Sequence, residues 1–265
     1  MFSKEAPLSM PALVKASPVP RAVPSQPPPA PPPITKCNFS IAKELVAENK
    51  RIAENKTEII NILKDLTLSN IENIIALRGD TPKDMTISKD NLKHATDLIE
   101  IIKSNFSNFC IAGACYPEFH PESNNSVDDI KFTKMKQDKG VDFLITQLFF
   151  DNKDFLSFKE KAIKNGITIP IIPGILPITS TKQIRRFTKL CGSKIPLKLN
   201  EKLENSINND KETTKLGIEY ATNQILELID NDIPGIHFYS LNKTSSVGHV
   251  LNNLGIANQT PEYII

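Results

Sequence analysis

Several features that would identify a class of protein at once are scarce in this 265-residue chain. No apolar run approaches the roughly 20 residues of a transmembrane helix, so we expect no membrane association. The 32 basic and 30 acidic side chains leave a net charge of +2, which gives no electrostatic basis for binding nucleic acid. The remaining composition, 40% apolar and 23% charged residues, is typical of a globular enzyme.

Cysteine and histidine are also few, and their spacing is uninformative. The four cysteines, Cys37, Cys110, Cys115 and Cys191, include no Cys-x-x-Cys pair. We therefore expect reduced thiols in a reducing compartment, the cytoplasm, and no disulfide framework. The four histidines have no His-x-x-x-His or similar spacing, so no metal site is predicted.

Proline is concentrated at one end of the chain. Eleven of the 20 prolines lie within residues 1–35. Because proline fixes φ and lacks a backbone donor, this Pro-rich tail is predicted to be disordered or polyproline II. The interpretations that stay open are a docking ligand for proline-binding domains, a tail without a role, or an artefact of an incorrect gene start. An irregular or helical connector is expected at 36–54.

From residue 55 onward, apolar runs alternate with helical patterns. Runs typical of buried strands occupy 74–77, 109–114, 141–146, 169–175 and 234–241. Apolar residues at helical spacing predict helices at 59–66, 91–104, 128–139, 153–164, 181–190, 200–208, 212–228 and 245–254. Such alternation, repeating about every 30 residues, predicts right-handed βαβ units and a parallel sheet.

Polar residues follow each predicted strand. They are Arg78 and Asp80, then Tyr116, Glu118 and His120, then Gln147, then Thr179 and Gln183, and finally Asn242 and Lys243. A ring of this kind is typical of the catalytic face of a (β/α)8 barrel, although a complete barrel needs three more strands. A doubly wound sheet is less well supported, because no Gly-x-Gly-x-x-Gly occurs. Arg78 and Asp80 have a second interpretation, a surface ion pair that caps the next helix.

Five segments in this order resemble the methylenetetrahydrofolate reductase family. They are ALRGDTP at 76–82, YPEFHPE at 116–122, ITQLFFD at 145–151, IIPGILPI at 171–178 and HFYSLN at 237–242. The family is a flavin-dependent (β/α)8 barrel. The resemblance therefore implies an α/β fold with a partial (β/α)8 TIM barrel at 55–257, about five of eight βα units corresponding to strands 4–8, followed by a C-terminal tail at 258–265.

The resemblance also implies an activity. NADH or NADPH would reduce bound FAD, and 5,10-methylenetetrahydrofolate would be reduced to 5-methyltetrahydrofolate, in one-carbon metabolism and methionine biosynthesis. By the same resemblance, the FAD-binding residues are Arg78, Gly79, Asp80, Ala95, Tyr116, His120, Asp129 and Lys136. Asp80, also the catalytic candidate, would bind the folate together with Gln147, Gln183, Phe187 and Lys243. Lys243 replaces the usual arginine, which keeps the charge but loses the bidentate fork.

Taken without the resemblance, several of these residues have ordinary structural interpretations. Asp129 and Lys136 could belong to a solvated helix face. His120, beside Pro121, could belong to a rigid turn. Phe187 could be a simple core residue at helical spacing with its neighbours. The resemblance favours the functional interpretation of each.

The chain departs from the family pattern at its amino-terminal side. The Phe-Glu-Phe-Phe-Pro-Pro strand, whose glutamate is the family's general acid, is not recognisable, and neither are the Thr-x-Gly and His-x-Thr-Cys segments. About three strands are thus expected to be missing, which would expose strand edges and favour a homo-oligomer or pairing with an intact homologue. The alternatives are a catalytically impaired remnant, a fragment from an incorrect gene start, or another flavin-dependent barrel such as proline dehydrogenase.

Overall fold

The computed structural model describes residues 13–14, 56–77, 92, 94–118, 120–121, 123, 125–241 and 244–256. The strands are β1 (Leu13–Val14), β2 (Asn73–Ala76), β3 (Cys110–Cys115), β4 (Phe143–Thr146), β5 (Ile171–Ile172), β6 (Gly174–Ile175) and β7 (Ile236–Phe238). The helices are α1 (Lys56–Leu68), α2 (Ala95–Asn105), α3 (Ser126–Asp138), α4 (Asn152–Lys164), α5 (Thr181–Cys191), α6 (Leu197–Asn205), α7 (Asp210–Ile229) and α8 (Thr244–Asn253).

The sheet confirms the predicted α/β class with parallel strands. β2, β3, β4 and β5 pair in that order, each parallel to the next, and β6 pairs parallel with β7. The predicted strand at 169–175 is divided into β5 and β6 at Pro173, whose ring nitrogen cannot donate to a ladder. If β5 and β6 are counted as one interrupted strand, the described residues contain five parallel segments in chain order, each separated from the next by at least one helix.

β1 lies within the segment that was predicted to be disordered. It pairs antiparallel with β7, with Leu13 opposite His237 and Val14 opposite Ile236. This pairing uses the edge of β7 that β6 leaves unused, because a strand edge offers N–H and C=O groups to any extended segment. The other residues of the predicted Pro-rich tail lie outside the described residues, so the tail stays a prediction.

Most predicted helices form within a few residues of their expected bounds, and local chemistry explains the differences. The helix predicted at 91–104 begins at Ala95, where the Asp97 carboxylate accepts the backbone N–H of His94. The helix predicted at 200–208 begins earlier, directly after Pro196, which lacks the N–H that a first turn would leave unpaired. α4 ends before Gly166, whose φ is +79°, as the glycine stop predicts.

The core has a layer on each face of the sheet. Alternation along the strands sends Ile111 and Leu144 toward the helices, into the large cluster that includes Phe155 and Ile225. A smaller cluster lies on the opposite face and contains Ala112, Phe143, Ile145 and Ile172, with Ile75 and Cys110 packed against it. A third cluster lies past the carboxyl ends of β4 and β6 and contains Leu148, Phe150, Leu176, Ile178, Ile184, Leu199 and Leu203.

The cysteines differ from expectation at one position. Cys115 and Cys191 are free thiols, whereas Cys110 is disulfide-bonded. The prediction that all four cysteines are reduced is therefore wrong for Cys110. A spacing rule detects only pairs that are near in sequence, while a disulfide requires only nearness in space. Within the described ranges, no helix is both long and apolar enough to cross a membrane.

Candidate functional site

Two charged side chains of α3, those of Asp129 and Lys136, face the carboxyl end of β3. Asp129 and Lys136 lie seven residues apart, two helical turns, and so share one face of α3. Asp129 is only 4% exposed. The Lys136 Nζ donates to the backbone C=O of Ala114 in β3, at 2.6 Å. The interpretation of this pair as a solvated helix face is therefore wrong, since both side chains are directed toward the sheet.

Burial dominates the electrostatics of this pair. Burial raises the pKa of Asp129. Two groups oppose this shift: the Ser123 hydroxyl, which donates to Oδ1 at 3.1 Å, and the positive charge of Lys136. Burial also lowers the pKa of Lys136, while nearby Cys115 and Asp129 act in the opposite direction. The pKa of the Cys115 thiol is raised by burial, so the nearby sulfur stays neutral at physiological pH.

Asp129 and Lys136 fit a ligand that carries hydroxyl and phosphate groups. The second carboxylate oxygen of Asp129, Oδ2, is buried and makes no hydrogen bond within the described part of the chain. Such an acceptor suits a hydroxyl donor, and an ammonium group such as that of Lys136 suits phosphate as a point charge. The carboxylate as a whole also accepts a backbone hydrogen bond from His120, so Oδ2 is the part of Asp129 that is open to a ligand hydroxyl.

Tyr116 and His120 lie next to this pair. Their rings meet edge to face, with centroids 4.6 Å apart and planes at 78°. His120 is also close enough to Asp129 to lower the pKa of its carboxyl. The structure thus brings together four of the residues that the resemblance assigns to flavin binding: Tyr116, His120, Asp129 and Lys136.

Gln147 follows β4 and lies beside the same end of β3. Its backbone N–H donates to the C=O of Cys115 at 2.8 Å. Its side-chain Oε1 accepts the N–H of Leu148 at 2.9 Å, which leaves the amide NH₂ available as a donor. The side chain is half-buried. The structure therefore places this predicted folate contact on the strand adjacent to the Tyr116 segment.

The other predicted contacts fall in different places. Gln183 and Phe187 lie on one face of α5, and Phe187 packs against the third apolar cluster while staying partly exposed, so its core interpretation holds in part. Ala95 is the half-buried first residue of α2, the helix that follows β2. Arg78, Gly79, Asp80 and Lys243 lie outside the described residues.

One contact across the site, between Glu118 and Lys194, was not predicted from the sequence. The Glu118 carboxylate accepts the backbone N–H of Lys194, with its two oxygens at 3.0 and 3.1 Å. Burial raises the pKa of Glu118, the N–H of Lys194 opposes this, and the carboxylates of Asp154 and Asp151 add to it. The contact fastens the segment after β3 to the segment after α5. Glu118 belongs to the YPEFHPE motif, but nothing in the sequence indicates its partner.

A second group that was missed links three motifs. The Tyr239 hydroxyl donates to the C=O of Thr146 at 2.8 Å, and the Gly174 N–H donates to the Thr146 hydroxyl at 2.9 Å. Each residue belongs to a different segment of the resemblance. The position of Thr146, Gly174 and Tyr239 within these motifs was the only feature of the sequence that indicated a role for them.

Parallel strands with polar side chains gathered past their carboxyl ends define an α/β protein with a ligand site at that edge of the sheet. The family model described as methylenetetrahydrofolate reductase matches residues 44–255. This chain belongs to the methylenetetrahydrofolate reductase family.

Two relatives show the extent of the similarity. The 5,10-methylenetetrahydrofolate reductase of Buchnera aphidicola subsp. Schizaphis graminum is 36% identical over 201 residues, which cover 76% of this chain and 67% of that one. The probable methylenetetrahydrofolate reductase (NADPH) of Caenorhabditis elegans is 35% identical over 76% of this chain and 31% of its own. The chain thus spans about two thirds of the bacterial relative and about one third of the nematode one.

A solved structure shares the fold. It is an uncharacterized protein from Clostridium thermocellum that binds two copies of 5-methyl-5,6,7,8-tetrahydrofolic acid. Its TM-score to this chain is 0.51 at 22% identity, and the match covers 77% of this chain and 70% of that one.

Proposed function

We propose that this chain is a flavoprotein oxidoreductase of one-carbon metabolism that reduces 5,10-methylenetetrahydrofolate to 5-methyltetrahydrofolate with NADH or NADPH, upstream of methionine biosynthesis. Membership of the family supports the reaction class. The single observation that carries the proposal is the pair of charged residues Asp129 and Lys136 on the face of α3 that packs against β3. The Asp129 Oδ2 is buried and makes no hydrogen bond within the described residues, and His120 lies close to this carboxylate.

FAD is the proposed cofactor. When bound, it would accept hydride from the nicotinamide and supply it to the folate. The Asp129 carboxylate would accept a hydroxyl of the ribityl chain, and Lys136 would neutralise a phosphate. Tyr116 and His120 would pack beside the flavin. Arg78, Gly79, Asp80 and Ala95 complete the proposed set by the resemblance.

The folate is proposed to lie over the carboxyl ends of β4 and β6. Gln147 offers its NH₂ there, and Phe187 offers a partly exposed ring on which a planar heterocycle could stack. Gln183 lies one turn before Phe187 on the same face of α5. Asp80 and Lys243 are assigned by the resemblance alone. The Clostridium thermocellum protein of similar fold binds a reduced folate, which supports this assignment.

The architecture is proposed to be the carboxyl-terminal part of a TIM barrel, within 55–257. Five parallel segments in chain order support about five of eight βα units. A homo-oligomer, or pairing with an intact homologue, is proposed to cover the strand edges that have no partner strand among the described residues. A cytoplasmic location is proposed as well; the free thiols of Cys115 and Cys191 agree with it, and the disulfide at Cys110 does not.

A second candidate is a catalytically impaired remnant that binds flavin weakly. One observation favours it: the edge of β7 that a complete barrel would use for another parallel strand is paired antiparallel with β1. The family's general-acid glutamate was not recognised in the sequence, and a positioned acid typically contributes 10²–10⁴-fold to rate. This candidate predicts flavin reduction without folate turnover.

An absorption spectrum of the purified 265-residue chain tests the two candidates. We expect a stoichiometric oxidised flavin that NADH or NADPH bleaches without oxygen. Recovery of the oxidised spectrum on adding 5,10-methylenetetrahydrofolate supports the reductase. Bleaching without recovery supports the remnant. A chain that binds no flavin when reconstituted with FAD contradicts both.

A further inference from the structure

Three sequence segments interlock beneath the proposed folate position. Thr146 ends β4, Gly174 begins β6 and Tyr239 directly follows β7. The Thr146 hydroxyl accepts the N–H of Gly174 at 2.9 Å, and its backbone C=O accepts the hydroxyl of Tyr239 at 2.8 Å. Two hydrogen bonds from different strands therefore converge on one residue.

Glycine is required at 174 for this arrangement. A Cβ added there would lie 2.5 Å from the C=O of Thr146 and 2.5 Å from Cε2 of Tyr239. Neither atom can move far, because one is backbone and the other belongs to a rigid ring that is anchored by its hydroxyl. The missing side chain thus makes the space through which Tyr239 reaches β4.

The ring of Tyr239 is also held in place by a neighbouring aromatic ring. Its ring meets the ring of His237 edge to face, with centroids 4.9 Å apart and planes at 81°. His237 is 3% exposed. Burial raises the pKa of the Tyr239 hydroxyl, and proximity to Tyr116 and Cys115 adds to this, so the group stays a donor at physiological pH.

The consequence concerns the peptide group that joins Thr146 to Gln147. Its C=O is held by Tyr239, and its N–H donates to the C=O of Cys115 at 2.8 Å. Both ends of one peptide plane are therefore fixed, from β7 and from β3. Because the Gln147 Oε1 is already engaged by the N–H of Leu148, a fixed backbone directs the side-chain NH₂ in one direction.

We propose that Tyr239 is a positioning residue that orients Gln147, through the Thr146 carbonyl, to donate its side-chain N–H to a carbonyl or ring nitrogen of a planar heterocyclic ligand. The proposal rests on the proposed function for the identity of that ligand, a reduced folate. It gives the HFYSLN and IIPGILPI motifs a shared role, in which Gly174 makes room and Tyr239 makes the contact.

The substitution Tyr239→Phe tests it, because only the hydroxyl is removed. Tyr220→Phe is the matched control, since the Tyr220 hydroxyl likewise donates to a backbone C=O, that of Phe150. With the full chain, the Kd for 5-methyltetrahydrofolate is measured by calorimetry. We expect it to rise about fivefold to tenfold in Tyr239→Phe, in line with one lost hydrogen bond. Flavin content is expected to be unchanged, and Tyr220→Phe to bind like wild type.

A readout without ligand separates this proposal from the proposed function. Amide exchange of the Gln147 N–H should be slow in wild type and in Tyr220→Phe, and faster in Tyr239→Phe. Unchanged exchange in Tyr239→Phe overturns the proposal. Faster exchange with an unchanged folate Kd also overturns it, because the contact would then be structural only. Failure of wild type to bind folate contradicts the proposed function. The exchange data then still show whether Tyr239 holds the peptide group between Thr146 and Gln147 in place.

Discussion

The carboxylate of Glu118 accepts the backbone N–H of Lys194 with both oxygens, at 3.0 and 3.1 Å, and thereby ties the segment after β3 to the segment after α5. Next to this contact, a Cβ at Gly192 would lie 3.1 Å from Cγ of Pro121, so the two segments also pack closely. Tyr116 and His120 lie on the first segment, and Phe187 lies on the helix before the second. The contact thus connects the proposed flavin and folate surfaces.

Glu118→Gln should change how stability depends on pH. The folded pKa of Glu118 is raised by burial, so its contribution to stability is complete below the ordinary pKa, 4.5, and is lost as pH rises through the folded value. Glutamine keeps an acceptor for Lys194 and does not ionise. We therefore expect the melting temperature of Glu118→Gln, relative to wild type, to increase from about pH 4 to about pH 7.

The control for this prediction is Glu201→Gln, which changes an exposed glutamate of α6. Its melting temperature should follow that of wild type across the same range. A difference between Glu118→Gln and wild type that stays constant or decreases as pH rises would show that the carboxylate is not penalised by burial.

His237 should make the protein sensitive to acid. Burial lowers its pKa to about 4, from an ordinary 6.5, and its Nε2 makes no hydrogen bond within the described residues. Because the pKa of His237 is lower in the folded than in the unfolded protein, its contribution to the stability of the fold is present above pH 6.5. This contribution is lost as the pH falls toward 4. Between about pH 7 and about pH 4.5 the loss should be about 2 kcal/mol. Urea unfolding of wild type and His237→Gln at both pH values measures it, and the variant should lack this part of the loss.

His249→Gln, in an exposed position on α8, serves as the comparison for His237→Gln. It should lose as much stability on acidification as wild type does. If His237→Gln and wild type lose equal amounts, the acid sensitivity arises from other groups.

Two glycines inside helices should respond oppositely to alanine. A Cβ at Gly217 in α7 would overlap the backbone C=O of Ile178, whereas a Cβ at Gly248 in α8 would meet nothing within 4 Å. Gly217→Ala should therefore destabilise the fold by roughly 1–3 kcal/mol. Gly248→Ala should stabilise it by about 0.5–1 kcal/mol, because alanine loses less backbone entropy in a helix. Chemical denaturation of both variants measures the change in the free energy of unfolding. Equal changes in the two variants would contradict the packing of α7 on the segment after β6.

Lys136→Met should lower the affinity for FAD, because methionine keeps much of the buried volume but removes the ammonium group. We expect at least a roughly tenfold increase in Kd in a fluorescence titration, with a smaller effect at high salt. The control is Lys131→Met on the same helix, where Lys131 pairs with Asp128 at the surface. Equal FAD affinities in the two variants would remove Lys136 from the proposed flavin site.

The local pattern of the sequence was sufficient for the α/β class and for most elements. Apolar runs and helical spacing are properties of neighbouring residues, and a glycine stop or a proline break acts within one turn. The elements around Leu144 and Phe155 could therefore be predicted from the chain alone. The family resemblance could be recognised as well, because its motifs are contiguous.

Tertiary structure decided what the sequence pattern could not. Spacing placed Asp129 and Lys136 on one helix face, but only packing against β3 shows that this face is directed inward. The pairing of β1 with β7 likewise depends on segments distant in sequence. The contact of Tyr239 with Thr146 requires the turn of the chain that brings β7 beside β6, next to β4. Periodicity describes each segment by itself, whereas a site forms where segments meet, and that meeting is determined by the global packing of the core.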